Sequence, residues 1–291
     1  MKMIKKAMLA AFAGITFLTS CDKNKDETKN LTLNITGLED LGANFRYEGW
    51  IMVNGAPVTT GVFSVNAGGT LSQTTFAIPE AQLNAATKFI LTIEPFPDPS
   101  PAPTDTHILA GDFAGNSVGL TIGAPEALGN NFLSASGKYV LATPSDADMT
   151  NEKSGVWFIG ALPPAVGLSL PALPAGWKYE GWGVAGGKAF STGTFTNLSA
   201  ADDFKGFSGP LGTPPYPGED FLVNAPAGST FPLNLSGGLA VISIEPFPDN
   251  SPAPFALKPL LANIPAGVME HTVYNMVNNA TASSPTGTAV K

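Results

Sequence analysis

The hydrophobic positions of this chain alternate instead of recurring at helical spacing. In "FRYEGWIMV", Phe45, Tyr47 and Ile51 fall on one side, and Arg46, Glu48 and Trp50 on the other. In "KFILTIEP", Phe89, Leu91 and Ile93 alternate with Lys88, Thr92 and Glu94, with Ile90 out of step. "VISIEP" does the same with Ile242 and Ile244 inward and Ser243 and Glu245 outward. Short period-2 runs closed by Gly, Pro, Asn and Asp predict half-buried strands. Two more such runs, "GKYVLATP" at 137–144 and "SGVWFIG" at 154–160, flank the polar loop "SDADMTNEK". Only "PEAQLNAATK" at 79–88 predicts a helical turn or two, and 32 Gly with 26 Pro break helices elsewhere.

The pattern occurs twice. "FRYEGW" from Phe45 returns as "WKYEGW" from Trp177, an offset of 132 that also brings Leu38 and Leu41 onto Leu170 and Leu173, and Gly61 and Phe63 onto Gly193 and Phe195. "IEPFPDPSPAP" from Ile93 returns as "IEPFPDNSPAP" from Ile244, an offset of 151, with Pro99 replaced by Asn250. The two offsets differ by 19 residues, which places an insertion in the second copy, near 203–228. The expected architecture is all-β: two tandem Ig-like β-sandwich domains, 31–135 and 136–277, with a small polar tail at 278–291 expected to be disordered.

The N-terminus changes the picture. Lys2, Lys5 and Lys6 precede an apolar stretch from Ala7 to Phe17, too short to span a bilayer, and then Leu18-Thr19-Ser20-Cys21. This reads as a lipoprotein signal peptide at 1–20, with Cys21 as the lipidated residue and 21–30 as a polar tether. Several acyl chains at ~0.8 kcal/mol per buried CH₂ give stable anchoring. Cys21 is the single cysteine, so neither a disulfide within the chain nor a thiolate metal site is expected. Removing the three lysines takes the formal charge from −8 to −11. An acidic chain with one arginine, Arg46, is poorly suited to nucleic acid.

Each unit thus reads Leu-x-x-Leu, Tyr-x-x-Trp on a strand, Gly-x-Phe, a strand ending Ile-Glu-Pro, and Ser-x-x-Pro. This series resembles the extracytoplasmic C-terminal domain of anti-sigma-K factors, over about 31–123 and 137–273. The resemblance implies a β-sandwich but not sigma-factor control. Those regulators carry a cytoplasmic sigma-binding segment and a transmembrane helix, for which this sequence shows no pattern. The lysines and acids after Cys21 resemble surface-export signals of Bacteroidetes-type lipoproteins, or serve as a plain spacer.

The candidate chemistry is sparse. Glu94, Asp98, Glu245 and Asp249 sit on turns as calcium ligands would, yet stiff Pro-Phe-Pro spacers cannot wrap an ion, which favours a rigid turn that the repeated fold builds twice. Glu48 and Glu180 could form a glycosidase pair with those glutamates, but are expected to be outward residues beside Arg46 and Lys178. His107 and His271 do not align between the repeats, and no catalytic motif occurs. Trp50 and Trp182, opposite the core residues, are candidates for stacking on sugar rings. The insertion presents Phe204, Phe207, Tyr216 and Phe221 as a second candidate contact surface. The expectation is an outer-membrane lipoprotein, on the periplasmic or cell-surface face, acting as a non-catalytic binding or structural module without metal or cofactor. Its partners would be the membrane through its anchor, and a glycan or envelope protein. The alternatives are a carbohydrate-binding or carbohydrate-active surface lipoprotein, or an extracytoplasmic partner of a sigma/anti-sigma system.

Overall fold

The computed structural model describes residues 27–248 and 251–291. Cys21 and the signal-like segment lie outside them, as do Asp249 and Asn250. The chain begins with β1 (Thr28–Thr36), β2 (Phe45–Val53), β3 (Ala56–Phe63), β4 (Thr75–Pro79), the short α1 (Glu80–Ala85), β5 (Ala86–Pro95), β6 (His107–Asp112) and β7 (Ser117–Thr121). It continues through β8 (Ser136–Leu141), β9 (Gly155–Trp157), β10 (Ile159–Ala161), β11 (Ala165–Val166), β12 (Leu168–Ser169), β13 (Trp177–Ala185), β14 (Lys188–Phe195) and β15 (Gly218–Asp220). The last elements are β16 (Leu239–Pro246), β17 (Leu260–Asn263), β18 (Tyr274–Asn275), β19 (Val277–Asn278), α2 (Ala280–Ser283) and β20 (Thr286–Val290). The fold is all-β, and the strands pair antiparallel.

The repeat is visible in the pairing. One eight-stranded sheet runs β3-β2-β5-β6-β7-β20-β1-β4, and a five-stranded sheet of the second unit runs β14-β13-β16-β17-β19. Its first four strands match β3-β2-β5-β6 of the first unit. A further sheet, β12-β8-β9-β15, completes the second unit, with β18 against β8.

Tyr-Glu-Gly-Trp builds the same local structure in both copies. Tyr47 and Tyr179 point into the core, and each hydroxyl donates to a carbonyl eight residues upstream, Glu39 O at 3.1 Å and Pro171 O at 2.7 Å. The glycine that follows faces the same way. A Cβ on Gly49 would sit 2.4 Å from Thr60 Oγ1 and 2.9 Å from Phe89, and one on Gly181 would sit 2.4 Å from Thr192 Oγ1 and 2.5 Å from Phe158. Only glycine leaves room there. Between Gly49 and Trp50 the ladder with β3 slips by one residue, as it does between Gly181 and Trp182 against β14. The extra residue, Thr60 or Thr192, precedes a glycine at φ 120° or 124°, a bulge set by residue type.

Three boundaries differ from expectation. The segment expected to be a disordered tail contains α2 and β20, and β20 pairs with β1 on one side and β7 on the other. Polar composition misled here, because backbone pairing places little demand on side chains. The first unit therefore spans more than 31–135: its sheet is completed from residues 286–290. The tether, expected to reach residue 30, already pairs at Thr28–Asn30, opposite Pro79–Ala77 of β4. Buried residues from Leu31 to Ala289 form one contiguous apolar cluster through both units.

Candidate functional site

The recurring glutamates are internal. Trp50 Nε1 donates to Thr92 Oγ1 at 2.9 Å, the Thr92 hydroxyl donates to Glu94 Oε1, and the same oxygen accepts Thr104 N at 2.9 Å. In the second unit Trp182 Nε1 donates to Ser243 Oγ at 2.7 Å, Ser243 donates to Glu245 Oε1, and Phe255 N donates to that oxygen at 2.9 Å. Both relays run from a tryptophan through a hydroxyl to a glutamate that holds a backbone N–H ten residues on. Each glutamate thereby staples the "EPFPD" loop shut. A second pair recurs beside it, with Thr59 donating to Glu48 and Ser191 to Glu180.

These carboxyls are not the outward strand residues expected. Glu48, Glu94, Glu180 and Glu245 are buried, none more than 7 % exposed, and offer a dissolved substrate no open face. Burial pushes the Glu94 and Glu48 carboxyls up, against the lowering pull of their hydroxyl partners. Glu94 Oε2 has no hydrogen-bond partner among the described residues.

Trp50 and Trp182, expected as a stacking surface, are 2 % and 1 % exposed. Alternation did place Trp50 opposite the main core. There, however, it packs with Ile90, Ala110, Ala124 and Ala127, because the segment after β7 covers that face.

Part of the insertion is also interior. Phe221 is fully buried, while Phe204, Phe207 and Tyr216 are half-buried. Phe207 meets Phe204 edge-on at 4.9 Å and Phe231 at 5.2 Å, and Tyr216 packs beside Trp157 and Val140. Three buried carboxyls tie the segment down. Asp202 accepts Gly218 N at 2.9 Å; Glu219 accepts Asp220 N at 2.9 Å and the Ser208 hydroxyl; Asp220 accepts Trp157 Nε1 at 2.7 Å and Ser145 N at 2.9 Å. Burial pushes Asp202 up to about 8 and Glu219 to about 7. The aromatics expected as a contact surface pack on one another and on the fold, with Phe204, Phe207 and Tyr216 left partly exposed.

What the two units do present is the tip of the repeated loop. Phe96 is 50 % exposed and Phe247 is 51 % exposed. Arg46 stacks over the Phe96 ring at 4.4 Å and Lys178 over Phe247 at 4.0 Å. The turn is built identically: Phe96 N donates to Asn44 O at 2.7 Å, Phe247 N to Gly176 O at 2.8 Å, and both Phe–Pro bonds are cis. Asp98 accepts Ser100 N at 2.8 Å, closing a turn. Among the described residues no group of three or more His, Cys, Asp or Glu side chains is placed to hold a metal ion.

The second tip also forms one wall of a cleft between the units. Phe247, Pro246 and Pro248 face Phe45, Pro95 and the 104–106 stretch across a cavity of about 270 Å³. Gly176 lies at its base, where a Cβ would sit 2.7 Å from the Asp105 carbonyl. Sequence reading passed over Phe96 and Phe247. The signal was there, in an apolar residue repeated between two prolines where no strand could bury it. No protein-family model, curated protein or solved structure matches this chain.

Proposed function

We propose that this chain is a lipid-anchored cell-envelope protein whose two tandem Ig-like units, resembling the extracytoplasmic domain of anti-sigma-K factors, form a non-catalytic binding or structural module. Anchoring rests on the signal-like segment and Cys21. The Ig-like reading is supported by the tyrosine hydroxyl that ties each unit's strand to upstream backbone, a feature known from such sandwiches.

One observation carries the functional part. The recurring Tyr, Trp and Glu of both units are committed to internal hydrogen bonds, whereas the recurring Phe remains half exposed beside a cation. Architecture accounts for the buried repeats, and contact with a partner accounts for the exposed one. The carbohydrate-binding alternative rests on these phenylalanines now, because the tryptophans are buried.

Two measurements test the reading. Cys21→Ala should abolish incorporation of a labelled fatty acid and release the protein from membranes; a mutant that is still labelled refutes the anchor. Wild type and the Phe96→Ser/Phe247→Ser double variant should then be compared on a glycan panel and against purified envelope proteins. The module reading expects a ligand lost in the double variant at unchanged melting temperature.

A further inference from the structure

The first unit's sheet has a place that its own contiguous sequence does not fill. Between β1 and β7 lies a slot one strand wide, and β20 occupies it from more than 160 residues beyond β7. The register is complete on both sides: Thr286–Val290 opposes Thr36–Thr32 of β1 and Thr121–Ser117 of β7.

What holds β20 is mostly backbone. Of its four side chains only Ala289 is buried, and Thr286, Thr288 and Val290 are exposed. One buried methyl contributes little, so the ladder supplies most of the attachment, together with Lys291. Lys291 N donates to Asn116 O at 2.8 Å, its Nζ donates to Ala86 O at 2.9 Å, and it lies 4.4 Å from the Phe113 ring centre.

Entry is nevertheless selective. A Cβ at position 287 would sit 2.5 Å from Asn34 O and 2.8 Å from Ile35 Cα, so glycine is required there. Position 289 is sealed around a methyl group. The slot thus takes an extended segment of the form x-Gly-x-Ala-x, and the β20 sequence "TGTAV" satisfies it.

The attachment of the preceding segment, to residues 132–135 and to the second unit, is of a different kind. Just before β20, Asn278 Nδ2 donates to the carbonyls of Phe132 and Ala135, Asn279 Nδ2 donates to Lys258 O, and the Ser283 hydroxyl does the same. These side-chain anchors stop at Ser284. Only Ser284 and Pro285 separate α2 from β20, and Pro285 lies against Gly37 at the end of β1. A firmly docked base, a two-residue hinge containing proline, and a strand held mostly by backbone bonds are the ingredients of strand exchange.

We propose that the β1–β7 slot is an exchangeable strand-binding site, filled in cis by this chain's β20 and in trans by β20 of a second copy. A reciprocal swap reproduces every β20 contact in both copies, so the closed monomer is favoured by effective concentration and the pair by crowding of copies. This inference does not depend on the lipid anchor or on the Phe tips.

Two experiments decide it. Isotopically light and heavy full-length Cys21→Ser chains, mixed at high concentration and incubated just below the melting temperature, should yield mixed dimers in native mass spectrometry. A Gly287→Val chain, whose strand no longer fits a slot, should form at least tenfold fewer. Monomers alone at every concentration would overturn the proposal. Separately, a chain ending at Pro285, shown to be folded by circular dichroism, should bind the synthetic peptide Thr-Gly-Thr-Ala-Val-Lys at least about tenfold more tightly than its valine analogue at the glycine position. Equal binding of the two peptides, or binding of neither by the folded acceptor, would also overturn it. If the shortened chain does not fold, the mixing experiment alone decides.

Discussion

The two units share a motif set and finish their sheets by opposite means. In the first, the connection from β3 to β5 is short, holding β4 and α1, and the sheet is completed by β20 with one buried side chain. In the second, the matching connection is longer, carries β15, and closes over three buried carboxyls and a phenylalanine cluster. One solution is made of backbone and is light in side chains; the other is made of side chains and is heavy in buried carboxyls. The shared core of Tyr, Gly, Trp and Glu tolerates both because it lies on the central strands, away from the place where the sheets are completed.

Deleting 203–228 is the strongest way to break this comparison. If the insertion is interior, its loss should prevent the second unit from folding, and even Phe221→Ala should cost about 3–5 kcal/mol in urea unfolding. A deletion mutant that keeps its melting temperature would restore the picture of a free surface loop.

Next comes pH. Asp202 and Glu219, held up at about 8 and about 7, bind protons more tightly folded than unfolded. Their contribution to stability is therefore complete below about pH 4, where the unfolded groups are protonated too, and is lost as pH rises through 7 and 8. Urea midpoints should fall between pH 5 and pH 9, and the Asp202→Asn/Glu219→Gln variant should flatten the fall. If the double variant falls equally, Glu48 and Glu94, raised by burial in the first unit, are responsible instead of the insertion.

A matched pair of substitutions sharpens the likeness. Glu94→Ala and Glu245→Ala each strand a hydroxyl and a backbone N–H in the interior, and each should cost about 1–3 kcal/mol. Costs that differ by more than a factor of two would show that the relays, alike in geometry, are not alike in energy. The smallest effect belongs to the tips. Phe96→Ala and Phe247→Ala should each shift stability by no more than about 0.5 kcal/mol, as thermal melts can check. A larger loss would make the phenylalanines structural covers for Arg46 and Lys178.

Much of the fold was legible along the chain. Alternation placed Phe89, Leu91 and Ile93 inward and set Ile90 apart, and Ile90 does pack on the other face with Trp50. The two offsets located the repeated strands and the longer second connection. The site was far less legible. Alternation says which face Trp50 and Trp182 occupy, but not that other parts of the fold cover that face. A glutamate flanked by strand residues reads as solvated until the hydroxyl two residues before it and the backbone N–H ten residues after it are seen to converge on one oxygen.

By itself, then, the sequence determined the strand periodicity, the duplication and the glycines that let Tyr-Glu-Gly-Trp pack, because each depends on local stereochemistry that neighbouring residues dictate. Tertiary structure alone decided that Thr286–Val290 completes a sheet begun at Thr28, that the insertion's phenylalanines turn inward, and that Phe96 and Phe247 stay out. The physical reason is that the ladder is made by backbone groups nearly every residue carries, and the limits on what fits, such as glycine at 287, are set by distant residues such as Asn34 and Ile35. Which strand fills a slot, and which face is covered, depends on what the rest of the chain brings there.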